Sequence, residues 1–124
     1  MILIIGGAYQ GKLAHAKTAF YLSEEEIYHC AGTEIDFSKR CIHKIEEFTF
    51  ACVQEGIEPA DHFRAHVEQW QDSILICQDI FCGVVPIDAQ QRLWRQATGR
   101  LCQYLAGEAA QVSRIFCGLE QKLK

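Results

Sequence analysis

Met1-Ile2-Leu3-Ile4-Ile5 runs directly into Gly6-Gly7-Ala8-Tyr9-Gln10-Gly11-Lys12-Leu13, and this opening stretch decides the fold. Five consecutive apolar residues, three of them isoleucine, read as a strand covered on both faces, the pattern of a parallel sheet. Gly6 and Gly7 end the strand. Residues Lys12 to Leu22 then favour a helix, with Leu13, Ala16, Ala19 and Phe20 near one face. The intervening segment fits the first seven positions of G-x-x-x-x-G-K-[ST]. Glycines there let backbone N–H groups turn inward around phosphate oxygens, and the helix N-terminus adds partial positive charge. Lys12 would reach the terminal phosphates. The plainer alternative is a glycine turn between a strand and a helix.

The eighth position of the motif is Leu13. A serine or threonine there would place a hydroxyl on magnesium, and leucine has none. A carboxylate following another strand could compensate, and Asp79, two residues beyond Cys77, is the obvious one. As a single acid after a strand it reads equally well as a turn residue.

Outward from the loop, further strands are expected at Ile27 to Cys30, Ser73 to Cys77 and Val112 to Cys117. Ser38 could cap a helix running to Gln54, because Ile42, Ile45, Phe48 and Cys52 recur at helical spacing. Gly56 and Pro59 stop it. Another helix is expected from Asp61 to Trp70. A long one, capped by Asp88, runs to Ala110 with Leu93, Ala97, Leu101 and Leu105 inward and Gly99 as a close-packing point. Strands alternating with helices predict a three-layer α/β fold of the P-loop type, with a short, mostly parallel sheet of about four strands flanked by helices.

The chain of 124 residues reads as one domain, residues 1–124. Its net charge of −4 and lack of a Lys/Arg cluster argue against nucleic acid as a partner. No apolar run approaches the roughly 20 residues of a membrane span, and the N-terminus lacks a signal-peptide pattern, so a cytoplasmic location is expected. Seven cysteines, none in a Cys-x-x-Cys pair, read as reduced core residues rather than a zinc site. His62 and His66 have the i, i+4 spacing of a metal chelate, but no third ligand is apparent and a solvated helix face is the simpler reading. Glu24-Glu25-Glu26 reads as a solvated helix end, and Trp70 and Trp94 as core or interface anchors.

Two further segments carry a family resemblance. Gln78-Asp79-Ile80-Phe81-Cys82-Gly83-Val84-Val85-Pro86 is similar to an N-E-x-G-x-G-x-V-P segment, and Gly99-Arg100-Leu101-Cys102-Gln103-Tyr104-Leu105-Ala106 to a G-R-x-x-Q-x-L-A pattern. With the Gly-Gly-Ala loop and a close on strand, Gly118 and Leu123-Lys124, the chain resembles the bifunctional adenosylcobinamide kinase/adenosylcobinamide-phosphate guanylyltransferases. The resemblance covers roughly residues 1–45 and 74–124. It implies binding of GTP or ATP with Mg²⁺, phosphorylation of adenosylcobinamide, and transfer of GMP through a guanylylated histidine. That histidine lies in an R-x-x-H pattern, which Arg40-Cys41-Ile42-His43 matches; on the expected helix His43 would be partly exposed, and an ordinary surface histidine is the alternative. The resemblance makes Gly6, Gly7, Ala8, Tyr9, Gln10, Gly11, Lys12 and Leu13 the nucleotide-binding residues, and Lys12, His43 and Asp79 the catalytic ones. It also implies a homo-oligomer in which a neighbour partly walls the site.

The chain departs from the family pattern at Leu13, at Phe81 in place of a glycine, and by lacking both an R-P-x-x-W stretch and a middle strand bearing an acid. Three functions therefore stand side by side: a cobinamide-activating transferase, a catalytically degenerate nucleotide- or corrinoid-binding module, and a structural partner of a full-length relative.

Overall fold

The computed structural model describes all of residues 1–124. A six-stranded sheet has the order β2-β3-β4-β1-β5-β6. The strands are β1 (Ile2–Gly6), β2 (Ile27–His29), β3 (Cys41–His43), β4 (Ile74–Gln78), β5 (Gln111–Phe116) and β6 (Leu119–Lys122). The first five pair in parallel, and only β6 runs antiparallel, against β5. The helices are α1 (Lys12–Phe20), α2 (Ile45–Gln54), α3 (Pro59–Ala65), α4 (Val67–Trp70) and α5 (Ala89–Glu108), with a single 3₁₀ turn at Glu24–Glu26. The expected α/β architecture is present, and its sheet is wider than the four strands expected.

Alternation along the central strands splits the core in two. Leu3, Ile42, Leu75 and Val112 face α2, α3, α4 and α5, where Phe48, Phe63, Trp70, Leu101 and Leu105 close the larger cluster. Ile4, Cys41, Ile74, Ile76 and Ile115 face the other way, against Ala16 of α1 with Leu22 and Ile27. Four helices thus cover one face and one nine-residue helix the other.

Two expectations about local structure are corrected. The helix read from Ser38 to Gln54 begins only at Ile45; Cys41–His43 forms strand β3 instead, and Lys44 turns the chain at a left-handed φ of 61°. His43 therefore stands on a strand end, not a helix. The pairing of Cys41 and Ile42 with Ile74 and Leu75 outweighs the helical periodicity, since both side chains are then fully buried, one on each face. Ser38 caps no helix; its backbone and hydroxyl bond the Asp36 carboxylate in a turn. The helix read from Asp61 to Trp70 is two short helices broken at His66.

Along α5, Ala97, Leu101 and Leu105 face inward as expected, but Leu93, also expected inward, is 56% exposed because the first turns of the helix project beyond the core. Asp88 caps α5, its Oδ1 accepting the Gln90 N–H at 2.9 Å. Trp70 is buried, with its indole N–H donated to the Phe63 carbonyl. All seven cysteines are unpaired, five of them buried. The solvated face expected for His62 and His66 is not found: both are half-buried and stack on Phe37, with ring centroids 5.9 and 5.6 Å away. No group of three or more metal-ligating side chains converges there or elsewhere. No helix is long and apolar enough to cross a membrane.

Candidate functional site: the loop between β1 and α1

Strand β1 lies in the middle of the sheet, so the loop leaving its C-terminal end opens at the site where doubly wound sheets bind ligands. Two glycines make the loop possible. A Cβ on Gly6 would stand 2.6 Å from the carbonyl oxygen of Ile115 on β5, closer than real contacts allow. Gly11, the residue before α1, has φ 91°, a conformation other residues reach only with strain. Tyr9 takes φ 59° at the loop crest with its ring fully in solvent.

The turn between β5 and β6 braces the loop from outside. Cys117 and Gly118 have φ of 52° and 77°, the signature of a tight hairpin turn. The Gln10 side-chain carbonyl accepts the Cys117 N–H at 2.7 Å, and the Gln10 backbone carbonyl accepts the Gly118 N–H at 2.9 Å. Farther along the hairpin, Glu120 meets His15 of α1 at 3.2 Å and accepts from Ser113. The loop and the first turns of α1 are therefore tied to the sheet edge through a hairpin whose second strand, β6, has no recognisable pattern in sequence.

Lys12 is half-buried and donates from Nζ to the Gly7 carbonyl at 2.7 Å, folding back over its own loop. Burial pulls its pKa down, opposed by the nearby Glu46 and Asp79 carboxylates. Beside it lies a cleft of about 430 Å³ lined by Ala8 to Ala14, His43, Lys44, Glu46, Glu47 and Gln78. Lys12 and His43, expected to act together, thus share one cleft.

His43 reaches it because β3 ends there. Burial, then His29, Lys44 and Lys12, push its pKa down to about 4, so the ring is neutral at neutral pH. Its Nδ1 lies 2.9 Å from Nδ1 of His29, whose Nε2 is 2.7 Å from Glu24. Glu24 also pairs with Lys17 of α1 at 2.8 Å; hydrogen bonds from Lys17 and His29 pull its carboxyl down to about 2. Two residues of the acidic run are therefore engaged rather than merely solvated, since Glu26 accepts from the N–H and hydroxyl of Ser23 and pairs with Arg40 at 3.5 Å.

Asp79 takes a different place from Lys12 and His43. Its N–H donates to the Gly6 carbonyl at 3.0 Å, and its buried carboxylate sits behind Gly7, 3.9 Å from Nε of Arg114. It is not part of the cleft wall. The buried acid in that wall is Glu46, in the first turn of α2. Glu46 Oε1 accepts the Gln78 N–H at 2.9 Å, while its backbone carbonyl accepts from Trp94 Nε1 and Thr49 Oγ1. Glu46 escaped sequence reading because it stands between apolar helix positions with no motif around it; the only available signal was its place three residues past Cys41–His43, a segment that could also have been read as a strand.

Two other clefts, of about 460 and 550 Å³, lie along α5 and share Phe81, Gly99 and Gln103. None of their lining residues belongs to the loop. Phe81, which replaces a family glycine, packs over Gly99, 3.8 Å from where a Cβ would stand. Arg95 holds the same segment by donating to the carbonyls of Phe81, Gly83 and Val84.

None of the curated proteins matches this chain. The family model for cobinamide kinase / cobinamide phosphate guanyltransferase does match, over residues 51–123, which takes in β4, the Gln78 to Pro86 segment, α5, and the hairpin that braces the loop. The loop itself lies outside the matched stretch, so its reading stands on its own geometry. With more than half of its residues inside that match, the chain belongs to the cobinamide kinase / cobinamide phosphate guanyltransferase family.

Proposed function

We propose that this protein binds the phosphates of GTP or ATP in the loop Gly6 to Leu13 and acts in cytoplasmic cobinamide activation, with His43 as acceptor of a guanylyl group. The observation that carries this reading is the shared cleft: Lys12, a glycine-shaped loop and a neutral histidine line one cavity. A neutral imidazole is the nucleophilic form. Nε2 of His43 would attack the α-phosphorus of GTP, forming a P–N bond as the P–O bond to pyrophosphate breaks. A phosphate oxygen of adenosylcobinamide phosphate would then displace His43, leaving GMP on the corrinoid. The loop N–H groups and Lys12 would hold the β- and γ-phosphates and carry charge on the leaving pyrophosphate.

The fold family implies Mg²⁺ beside those phosphates. The chain's donor set is thin but usable, since Mg²⁺ is commonly held by one or two carboxylates with phosphate oxygens and water. Glu46, buried, and Glu47, exposed, are the carboxylates in the cleft wall, and Asp79, behind Gly7, is a further candidate. When bound, the ion would offset charge on the phosphates.

Leu13 favours a second reading, in which the protein holds nucleotide, or a corrinoid, without turnover. Self-association belongs to either reading and would serve a structural partner of a full-length relative as well. Val84, Val85, Ile87 and Leu93 form an exposed apolar run at the start of α5, the kind of surface a partner subunit covers.

Calorimetric titration of GTP and ATP into wild type and Lys12→Ala tests nucleotide binding. Submillimolar binding by wild type and at least tenfold weaker binding by Lys12→Ala are expected, a factor of about 1.4 kcal/mol. Identical isotherms would reduce the loop to a turn. Intact-mass spectra after incubation with GTP and Mg²⁺ then separate the transferase, which gains an acid-labile GMP on His43, from the binding module, which does not.

A further inference from the structure

We propose that Glu24 and His29 act as positioning residues that lock His43 in the Nδ1–H tautomer, leaving the Nε2 lone pair facing the loop cleft. The argument runs from one end of a hydrogen-bonded chain to the other. The Glu24 carboxylate can only accept, so the 2.7 Å contact requires a proton on His29 Nε2. With that proton placed, a neutral His29 presents a lone pair at Nδ1. The 2.9 Å Nδ1–Nδ1 contact holds a single proton, which must then come from His43. His43 Nε2 is left without a proton. It has no hydrogen-bond partner in the protein, and the residue lines the cleft.

The rings meet edge to face, at 5.1 Å between centroids and 80° between planes. Lys17 holds Glu24 from its other side at 2.8 Å, so the chain of contacts begins on α1 and ends at the cleft. The charged groups around His43 are Lys12, Lys44 and Glu24. None of them bonds its Nδ1, which leaves His29 as the sole determinant of the tautomer.

The catalytic consequence rests on the reading of His43 as the guanylyl acceptor. Bond formation at Nε2 leaves the ring positively charged with its proton on Nδ1. That proton is shared with, or passes to, His29 Nδ1, and the Glu24 carboxylate balances the charge. When GMP leaves, the proton returns to Nδ1 of His43. The arrangement does for a P–N intermediate what a buried carboxylate does behind a catalytic histidine in acyl transfer.

The test is the ¹⁵N tautomer pattern of His43 in ¹⁵N-histidine-labelled protein at pH 8, assigned by loss of the signals in His43→Gln. Wild type should show Nδ1 as protonated and Nε2 as unprotonated, the reverse of the tautomer free imidazoles prefer. His29→Phe removes the acceptor and should return His43 to the Nε2–H form. His29→Asn places Oδ1 where Nδ1 stood and should keep the Nδ1–H form. An Nε2–H tautomer in wild type, or no change in His29→Phe, overturns the proposal. GMP labelling is read separately: His29→Phe should slow it about 10- to 100-fold, with His29→Asn close to wild type. A wild type that shows the expected tautomer but takes up no GMP sinks the guanylyl-acceptor reading and leaves the positioning role standing.

Discussion

The side-chain carbonyl of Gln10, at the heart of the β1–α1 loop, accepts the backbone N–H of Cys117, 107 residues away in the β5–β6 turn, at 2.7 Å. The carbonyl of the same residue accepts from Gly118. A loop with few internal hydrogen bonds gains order from outside, and here the hairpin supplies part of it.

Removing that brace should weaken ligand binding more than folding. Gln10→Ala deletes one hydrogen bond of the two, a loss of about 1 kcal/mol. We expect unfolding by urea to shift by no more than that, while GTP affinity falls about fivefold because the loop must be ordered on binding. Equal affinity in the variant by calorimetry would show that the hairpin does not shape the loop.

Gly6→Ala should be the most damaging single-methyl change in the loop. The added Cβ would lie 2.6 Å from the Ile115 carbonyl, a backbone atom that cannot swing aside. Overpacking against a fixed obstacle costs about 1–3 kcal/mol. A thermal denaturation midpoint within a degree of wild type would mean that β5 shifts freely.

His43 sets a pH dependence of stability. Its folded pKa lies at about 4 against an ordinary 6.5, so the folded state resists protonation that the unfolded chain accepts. The stability this brings is fully present above pH 6.5 and is lost as the pH falls toward 4. Allowing for solvent around the half-exposed ring, the loss is on the order of 1 kcal/mol. Urea unfolding of wild type and His43→Gln at pH 7.5 and 4.5 should show a smaller acid loss in the variant. Parallel losses would place the acid sensitivity elsewhere.

Magnesium should matter little to nucleotide binding by wild type, because Leu13 brings no hydroxyl to the ion. Leu13→Ser should strengthen the magnesium dependence. Adding Glu46→Gln should cancel that gain, whereas adding Asp79→Asn should leave most of it, since Glu46 is in the cleft wall and Asp79 is behind Gly7. Nucleotide titrations across a magnesium series read the result. Strong magnesium dependence in wild type, or cancellation by Asp79→Asn alone, would assign the ion to another group.

The exposed run at the start of α5 predicts self-association. Val84→Asp with Ile87→Asp should lower the mass measured by light scattering without lowering the unfolding midpoint, because both side chains are more than 90% exposed. A wild type that is already monomeric at high micromolar concentration would remove the oligomer from the proposal.

Sequence alone was most legible where two patterns coincide. Ile2 to Ile5 are apolar and followed by two glycines, and Asp88 stands before a long amphipathic run; the strand and the cap are both where the patterns put them. It was least legible where patterns conflict. Cys41 and Ile42 continue the helical spacing of Ile45, Phe48 and Cys52, so strand β3 was hidden, and the break at Lys44 uses a left-handed residue that is not glycine. Strand β6 was hidden for the opposite reason: Leu119 to Lys122 are all exposed, so an edge strand carries no buried alternation. Glu46 and the His29–His43 contact were out of reach because both depend on where β3 ends.

The unequal covering of the sheet has a consequence for motion. The face built on Ile4, Ile76 and Ile115 is closed mainly by Ala16, Leu13 and Phe20 of one short helix, whereas four helices seal the opposite face. Local opening takes the path of least buried area, so α1 should detach from the sheet at a free energy below that of global unfolding. Its amides should exchange with solvent sooner than those of β1 and β4. That helix begins at Lys12, so a nucleotide gripping the loop would also hold the helix down, and part of the ligand's binding energy would appear as slowed exchange along α1, out to Phe20, rather than only at the residues it touches.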